Sequence, residues 1–148
     1  MITYHVEHSN FKLTQKRKLS KWIKSVINNS SFEVGDLNFI YCDDPYILDL
    51  NRKYLNHNYY TDVITFDNTE DFSEENNIIS GDIFISIDTV KANAEEYGST
   101  FEEEFLRVTI HGVLHLLGYD DKTEEEVSVM RQTENYCIEK YRILDQEK

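Results

Sequence analysis

The sequence predicts a single compact α+β domain spanning residues 1–148, with about four strands in a mixed sheet packed with helices around a buried central helix. Three observations carry this reading. Strand-like segments near 2–7, 36–42, 62–66 and 78–87 are interleaved with segments of helical period. Residues 105–117 are apolar almost all the way round, as a helix buried on several sides must be. The connections are short, with no Pro-rich linker, internal repeat or second composition regime, and 148 residues are enough for one core without disulfide staples.

Composition narrows the class further. Ten Tyr and eight Phe argue for a folded chain rather than a disordered one. No run is long enough to cross a bilayer and the N-terminus lacks a signal-peptide pattern, so a cytoplasmic protein with no membrane partner is expected. Cys42 and Cys137 show no C-x-x-C spacing and read as free structural thiols. The net charge of −13 is uneven: residues 1–60 carry eight Lys/Arg against six Asp/Glu, and residues 61–148 carry seven against twenty-two. Such asymmetry fits either a localised cationic surface or a solvated helix face.

Taken in order, Ile2, Tyr4 and Val6 alternate as on a half-buried strand, leaving His5 and His8 as surface residues. Leu19, Trp22, Ile23, Val26 and Ile27 then recur at helical spacing and predict an amphipathic helix over about 14–29. Its other side carries Lys16, Arg17, Lys18, Lys21 and Lys24, with no acid between residues 8 and 32. That face suits either nucleic-acid phosphates or plain solvation. Leu37, Phe39 and Tyr41 mark a strand over 36–42. Asp43 or Asp44 can cap the next helix, with Pro45 near its start, and Ile47, Leu48, Leu50, Tyr54 and Leu55 form its apolar side.

A polar and aromatic loop follows over Asn56–Tyr60, then a short strand through Val63, Ile64 and Phe66. The acidic stretch Asp67–Asn77 reads as an exposed loop. Ile78–Ile87 form another strand, in which Gly81 signals a bulge or a close backbone approach. Asp88 is expected to cap a helix over about 89–97 that ends at Gly98. Thr100 opens the central helix, with Glu102, Glu103 and Glu104 where the macrodipole favours negative charge. Thr123-Glu124-Glu125-Glu126 matches a capping box for the last helix.

The chemistry concentrates in the central helix. Glu104, Arg107, His111 and His115 follow at spacings of three, four and four, which aligns them in one stripe. Gly118 suits a left-handed turn that brings Asp120 or Asp121 back towards the imidazoles. Two imidazoles on one buried stripe each need a partner, and a metal satisfies both. Two histidines and one returning carboxylate leave a coordination position open, as catalytic zinc sites do. Gly112 stands where the glutamate of an H-E-x-x-H metalloprotease would be, which disfavours that class.

Four blocks together resemble the YbeY family of bacterial endoribonucleases, also called ribosomal RNA maturation factors. They are Leu50-Asn51-x-x-Tyr54, Thr61-Asp62-Val63-Ile64-Thr65-Phe66, Gly81-Asp82-Ile83-Phe84-Ile85-Ser86 and His111-Gly112-x-Leu114-His115-Leu116-x-Gly118-Tyr119-Asp120. The resemblance implies a metal-dependent ribonuclease acting on ribosomal RNA, with roles in small-subunit RNA maturation and ribosome quality control and with zinc on three histidines. The third of those histidines falls at Asp121, and the family's arginine following the tyrosine of the second helix falls at Leu55.

The expected metal ligands are therefore His111, His115 and Asp121. One divalent ion is expected, Zn2+ first, with Mn2+ or Fe2+ favoured more by an oxygen ligand than by a third imidazole. Such an ion polarises a phosphoryl oxygen and lowers the pKa of bound water. Asp62 and Asp82 are candidate proton acceptors by resemblance and by their place at strand starts, and Asp120 is a candidate partner for a histidine N–H. Arg52, Lys53 and His57 are candidates for the phosphate contacts of the missing arginine, and Tyr59 and Tyr60 for stacking on unpaired bases. The expected partners are ribosomal RNA and the small ribosomal subunit, with no organic cofactor. Two rival readings are a ribosome-associated factor stapled by a structural metal and a 2-His-1-carboxylate iron enzyme.

Overall fold

A computed structural model describes residues 1–55, 62–69 and 77–144. Among them the chain runs β1 (Ile2–Val6), α1 (Lys16–Asn29), β2 (Glu33–Cys42), α2 (Asp44–Leu50), a π-helical turn (Asn51–Leu55), β3 (Val63–Asp67), β4 (Ile78–Ser86), α3 (Ile87–Tyr97), α4 (Phe101–Leu116) and α5 (Glu124–Ile143). The strands form one sheet in the order β1-β2-β4-β3. β1 and β4 each pair parallel with β2, and β3 runs antiparallel to β4. This is the mixed sheet and α+β class that the alternation of strand and helix periods predicts.

Strand alternation places Leu37, Phe39, Tyr41, Ile83 and Ile85 on one face, all fully buried. They join residues of α1, α3, α4 and α5 in the main core. Cys42, Ile47 and Ile64 form a smaller cluster with Tyr46, Leu50, Phe66 and Phe84. Trp22 ties α1 to α5: its indole Nε1–H donates to the Cys137 carbonyl at 2.7 Å, and its ring meets Tyr141 edge-on.

Helix ends follow their sequence signals with one exception. Asp43 accepts from the Tyr46 N–H at 3.0 Å, Thr100 accepts from the Glu103 N–H at 3.1 Å, and Thr123 and Glu126 form a reciprocal capping box. Gly98 closes α3 at φ 67°. The exception is Asp88. Ser86 caps α3 instead, accepting from the Thr89 N–H, and the helix begins at Ile87. Asp88 lies in the first turn and accepts from the Asp44 N–H, so it braces α2 against α3. β2 also starts earlier than expected, at Glu33, with a register shift between Val34 and Leu37. The expected loop over 56–60 and most of the acidic one, 70–76, lie outside the described residues.

α4 presses unusually close to the sheet. A Cβ built on Gly112 would stand 2.7 Å from Ile83 Cγ2 and 3.2 Å from Thr65 Oγ1, and one on Gly81 would stand 2.7 Å from the Phe66 carbonyl and 3.0 Å from Leu116 Cδ2. The two glycines let helix backbone and strand backbone approach. The Thr65 hydroxyl donates to the Gly112 carbonyl at 3.3 Å across the same contact. Gly112→Ala is therefore expected to destabilise the metal-free protein by about 1–3 kcal/mol through overpacking. Urea denaturation in the presence of chelator measures this, and an unchanged midpoint would mean that the sheet yields to the added methyl group.

Candidate metal centre

The stripe predicted on the central helix forms as expected, and its histidines converge. His111 and His115 meet edge to face with ring centroids 4.6 Å apart. Their Nε2 atoms are 3.0 Å apart, and Asp121 Oδ2 lies 3.3 Å from the first and 3.5 Å from the second. Tetrahedral coordination at ordinary zinc bond lengths requires donor atoms about 3.3 Å apart, so this triangle has the right size. Gly118, at φ 99°, makes the turn that returns Asp121 to the histidines.

Hydrogen bonds on the far side of each ring fix what the near side offers. The His115 Nδ1–H donates to the Tyr119 carbonyl at 3.0 Å, since a carbonyl can only accept. His111 Nδ1 lies 2.6 Å from Glu134 Oε2. Glu134 is only 4 % exposed and also receives Arg107 at 3.3 Å. Both rings thus carry their proton on Nδ1 when neutral, and their Nε2 lone pairs face each other and a carboxylate. A proton or a metal ion in that triangle would offset the opposed lone pairs and the carboxylate charge. Burial disfavours the charged form of His111, but Glu134, Asp62 and Asp121 outweigh it and raise its pKa above the ordinary value. His111, His115 and Asp121 can hold a metal ion.

A cavity of about 230 Å³ opens beside the triangle, with Asp62, Glu104, Arg107, Arg131 and Glu134 in its walls with His111 and Asp121. Burial pushes the Asp62 carboxyl upward, with His111 as the main opposing influence. Glu104, 6 % exposed, is likewise pushed upward by burial against the pull of Arg107.

The other sequence candidates fall elsewhere. Asp82 accepts from Asn38 Nδ2 at 2.8 Å and Asn68 Nδ2 at 3.2 Å, and it does not line the cavity. Asp120 is exposed and does not partner a histidine N–H. The turn after Gly118 presents the Tyr119 carbonyl to His115, and α5 supplies Glu134 to His111. Lys53 pairs with Asp49 at 3.0 Å on the π-helical turn, where exposed Arg52 also lies; neither lines the cavity. His57, Tyr59 and Tyr60 lie outside the described residues. Glu134 was missed because it follows the histidines by nineteen or more positions on another helix. Its sequence signal is a lone acid on the apolar side of α5, between Met130 and Cys137.

Fold and site together define an α+β domain with a two-histidine, one-carboxylate centre at the end of a buried helix. The family model described as endoribonuclease YbeY matches residues 3–142. Curated proteins named endoribonuclease YbeY from Parabacteroides distasonis and Karelsulcia muelleri are 46% and 47% identical, covering 93% of this chain and 93% and 94% of their own length. The solution structure of TM1509 from Thermotoga maritima superposes with a TM-score of 0.63 at 26% identity, covering 100% of this chain and 96% of its own. The chain belongs to the endoribonuclease YbeY family, a family of hydrolases.

Two outcomes test the geometry. Glu134→Gln keeps an acceptor oxygen beside His111 Nδ1 but removes the charge, and should weaken metal binding by about 10–100-fold with the fold retained; competitive chelator titration with circular dichroism reads both. Asp62→Asn removes a carboxyl whose folded-state pKa is raised, so wild-type stability should fall as pH rises from the ordinary value of 3.8 through the folded value. The metal-free variant should therefore melt higher than wild type at pH 7 and alike below that window. A variant that melts lower at pH 7 would show that Asp62 is held by a favourable charge interaction instead.

Proposed function

We propose that this chain is a metal-dependent endoribonuclease acting on ribosomal RNA, in small-subunit RNA maturation and ribosome quality control, with His111, His115 and Asp121 as its metal ligands. The observation that carries this is the triangle of three inward-facing donor atoms opening on a cavity that also presents cations, in a chain of an endoribonuclease family. Zinc fits the two imidazoles and one carboxylate, and the oxygen ligand makes manganese and iron(II) the alternatives. When bound, the ion supplies Lewis-acid activation of a phosphoryl oxygen and of a water.

The chain's own groups divide the remaining work. Glu134 holds His111 in the tautomer that turns Nε2 inward, and the Tyr119 carbonyl does the same for His115. Asp62 takes a proton from the attacking hydroxyl or water, a role supported by its position in the cavity wall and by the burial that raises its pKa. Arg107 is pinned by Glu134 at 15% exposure, while Arg131 is more open at the cavity, 3.9 Å from the same carboxylate. Arg131 is thus the side chain there that can swing to a phosphate, in place of the arginine that Leu55 replaces. Arg52, Lys53 and His57 supply phosphate contacts further along the strand. The small ribosomal subunit presents the RNA, and the cytoplasm is where both are met.

Purified protein loaded separately with zinc, manganese or iron(II) and given small-subunit ribosomal RNA should cut it with at least one metal and stop on chelation. His115→Ala should abolish cleavage and metal content together, and Asp62→Asn should lower the rate by about 10²–10⁴-fold with metal content intact. Full metal loading with no cleavage of free or ribosome-bound RNA would leave the structural-metal reading in its place.

A further inference from the structure

The metal centre lies towards the β3 side of the sheet, yet the positive charge gathers at the opposite edge. Ile2 and Tyr4 of β1 floor an open groove walled by Lys16, Arg17, Ser20, Lys21 and Lys24 of α1. The Tyr4 hydroxyl and the Ser20 hydroxyl hydrogen-bond at 2.9 Å, which fixes the wall to the floor. Arg17, Lys21 and Lys24 stand at helical spacings of four and three, a row about 10 Å long. Among the described residues, Lys16, Arg17, Lys21 and Lys24 have no carboxylate within ion-pair distance.

A solvated helix face ordinarily mixes charges of both signs, and this one has no acid. Its placement is also unfavourable by itself. α2, α3, α4 and α5 each begin with an acid in the first turn, where the helix dipole is positive. α1 begins instead with Lys16, Arg17 and Lys18, has no side-chain cap at Gln15, and carries no basic residue in its last turn. Lys16 and Arg17 stand at the positive end of that dipole with no carboxylate within ion-pair distance among the described residues, a position that a bound anion stabilises. The rest of the chain is strongly acidic, so a polyanion is attracted here and repelled from most other faces.

We propose that the α1–β1 groove is an RNA-backbone docking surface, separate from the metal centre, that holds a strand leading towards it. The proposal rests on the ribonuclease reading for the identity of the polyanion. The β1 and β3 edges are three strand spacings apart, about 14 Å, a distance that a few nucleotides span. The groove supplies affinity and register, and the metal centre supplies chemistry.

The test compares the metal-loaded wild type with two variants of equal net charge: Arg17→Gln/Lys21→Gln/Lys24→Gln in the groove and Lys91→Gln/Lys140→Gln/Arg142→Gln elsewhere. The probe is a labelled 20-nucleotide single-stranded RNA followed by fluorescence anisotropy from 20 to 200 mM KCl, with cleavage kinetics alongside. The groove variant should bind at least tenfold more weakly at low salt, lower the log–log salt slope by about 2, and raise KM by a larger factor than it lowers kcat. The control should change affinity less than threefold. Equal effects of the two variants, or no measurable binding by wild type at 20 mM KCl, would overturn the proposal. So would loss of poly-L-glutamate binding by the groove variant with RNA binding unchanged, which marks an acidic protein as the occupant. Binding that depends on the groove in a protein that cuts no RNA would uphold the docking surface while overturning the ribonuclease reading.

Discussion

The rest of the structure depends on how closely α4 lies against the sheet. Gly112 puts helix backbone where a side chain would otherwise stand, within reach of Ile83, Thr65 and Val63. Such proximity buries the helix on several sides: Phe105, Leu106, Val108, Ile110, Val113, Leu114 and Leu116 are all core residues. A helix so enclosed cannot leave polar side chains unsatisfied, because each unpaired polar group in the interior costs about 1–3 kcal/mol. His111 and His115 sit on the margin of that burial, one turn apart. The same glycine that seats the helix rules out a glutamate between them, and the Asp62, Asp121 and Glu134 carboxyl groups facing this site come from other elements.

That requirement explains the division of labour among the elements around the centre. α4 fixes two of the donor atoms with the rigidity of a packed helix, and the turn at Gly118 returns the third. α5 contributes nothing to the triangle but supplies Glu134, whose carboxylate, itself held by Arg107, orients His111. β3 begins beside the cavity and brings Asp62. The three donor atoms, the groups that orient them and the Asp62 carboxyl thus arrive from different segments. Such a site is preorganised: its donor atoms already stand at coordination spacing, so little rearrangement would accompany the loading of an ion.

Much of this was legible in the sequence, and the reasons are physical. The four strands and the helices follow from periodicity, and the caps at Asp43, Thr100 and Thr123 follow from side chains that can bond a backbone N–H three residues on. The histidine pair and the returning Asp121 are local in sequence, within eleven residues, and so are governed by helix spacing and one turn. What escaped is non-local. Glu134 comes to His111 because α5 packs on α4, and no spacing within α5 announces that contact. Asp120 was read as a histidine partner because adjacency was all the sequence offered; backbone direction after Gly118 gives that role to the Tyr119 carbonyl. Ser86 displaced Asp88 as a cap because β4 runs directly into α3, which moves the helix start upstream.

A carboxylate as the third donor beside two imidazoles puts further negative charge into an already acidic surrounding. Asp62, Glu104, Asp121 and Glu134 put four carboxyl groups around one small cavity, against Arg107, Arg131 and the His111 imidazole. An anionic ligand lowers the effective charge of any ion held there, and a phosphodiester brings one more negative charge. Burial already raises the pKa of Asp62 and Glu104, so the cavity relieves part of this crowding by keeping carboxyl groups ready to accept a proton. On the proposed ribonuclease reading, the approach of RNA to so acidic a centre has to be supported by positive charge placed elsewhere. In this chain that charge lies in the first sixty residues, chiefly on a helix whose own dipole it opposes. The uneven charge of the two halves thus sets a carboxylate-rich cavity apart from a cationic helix face.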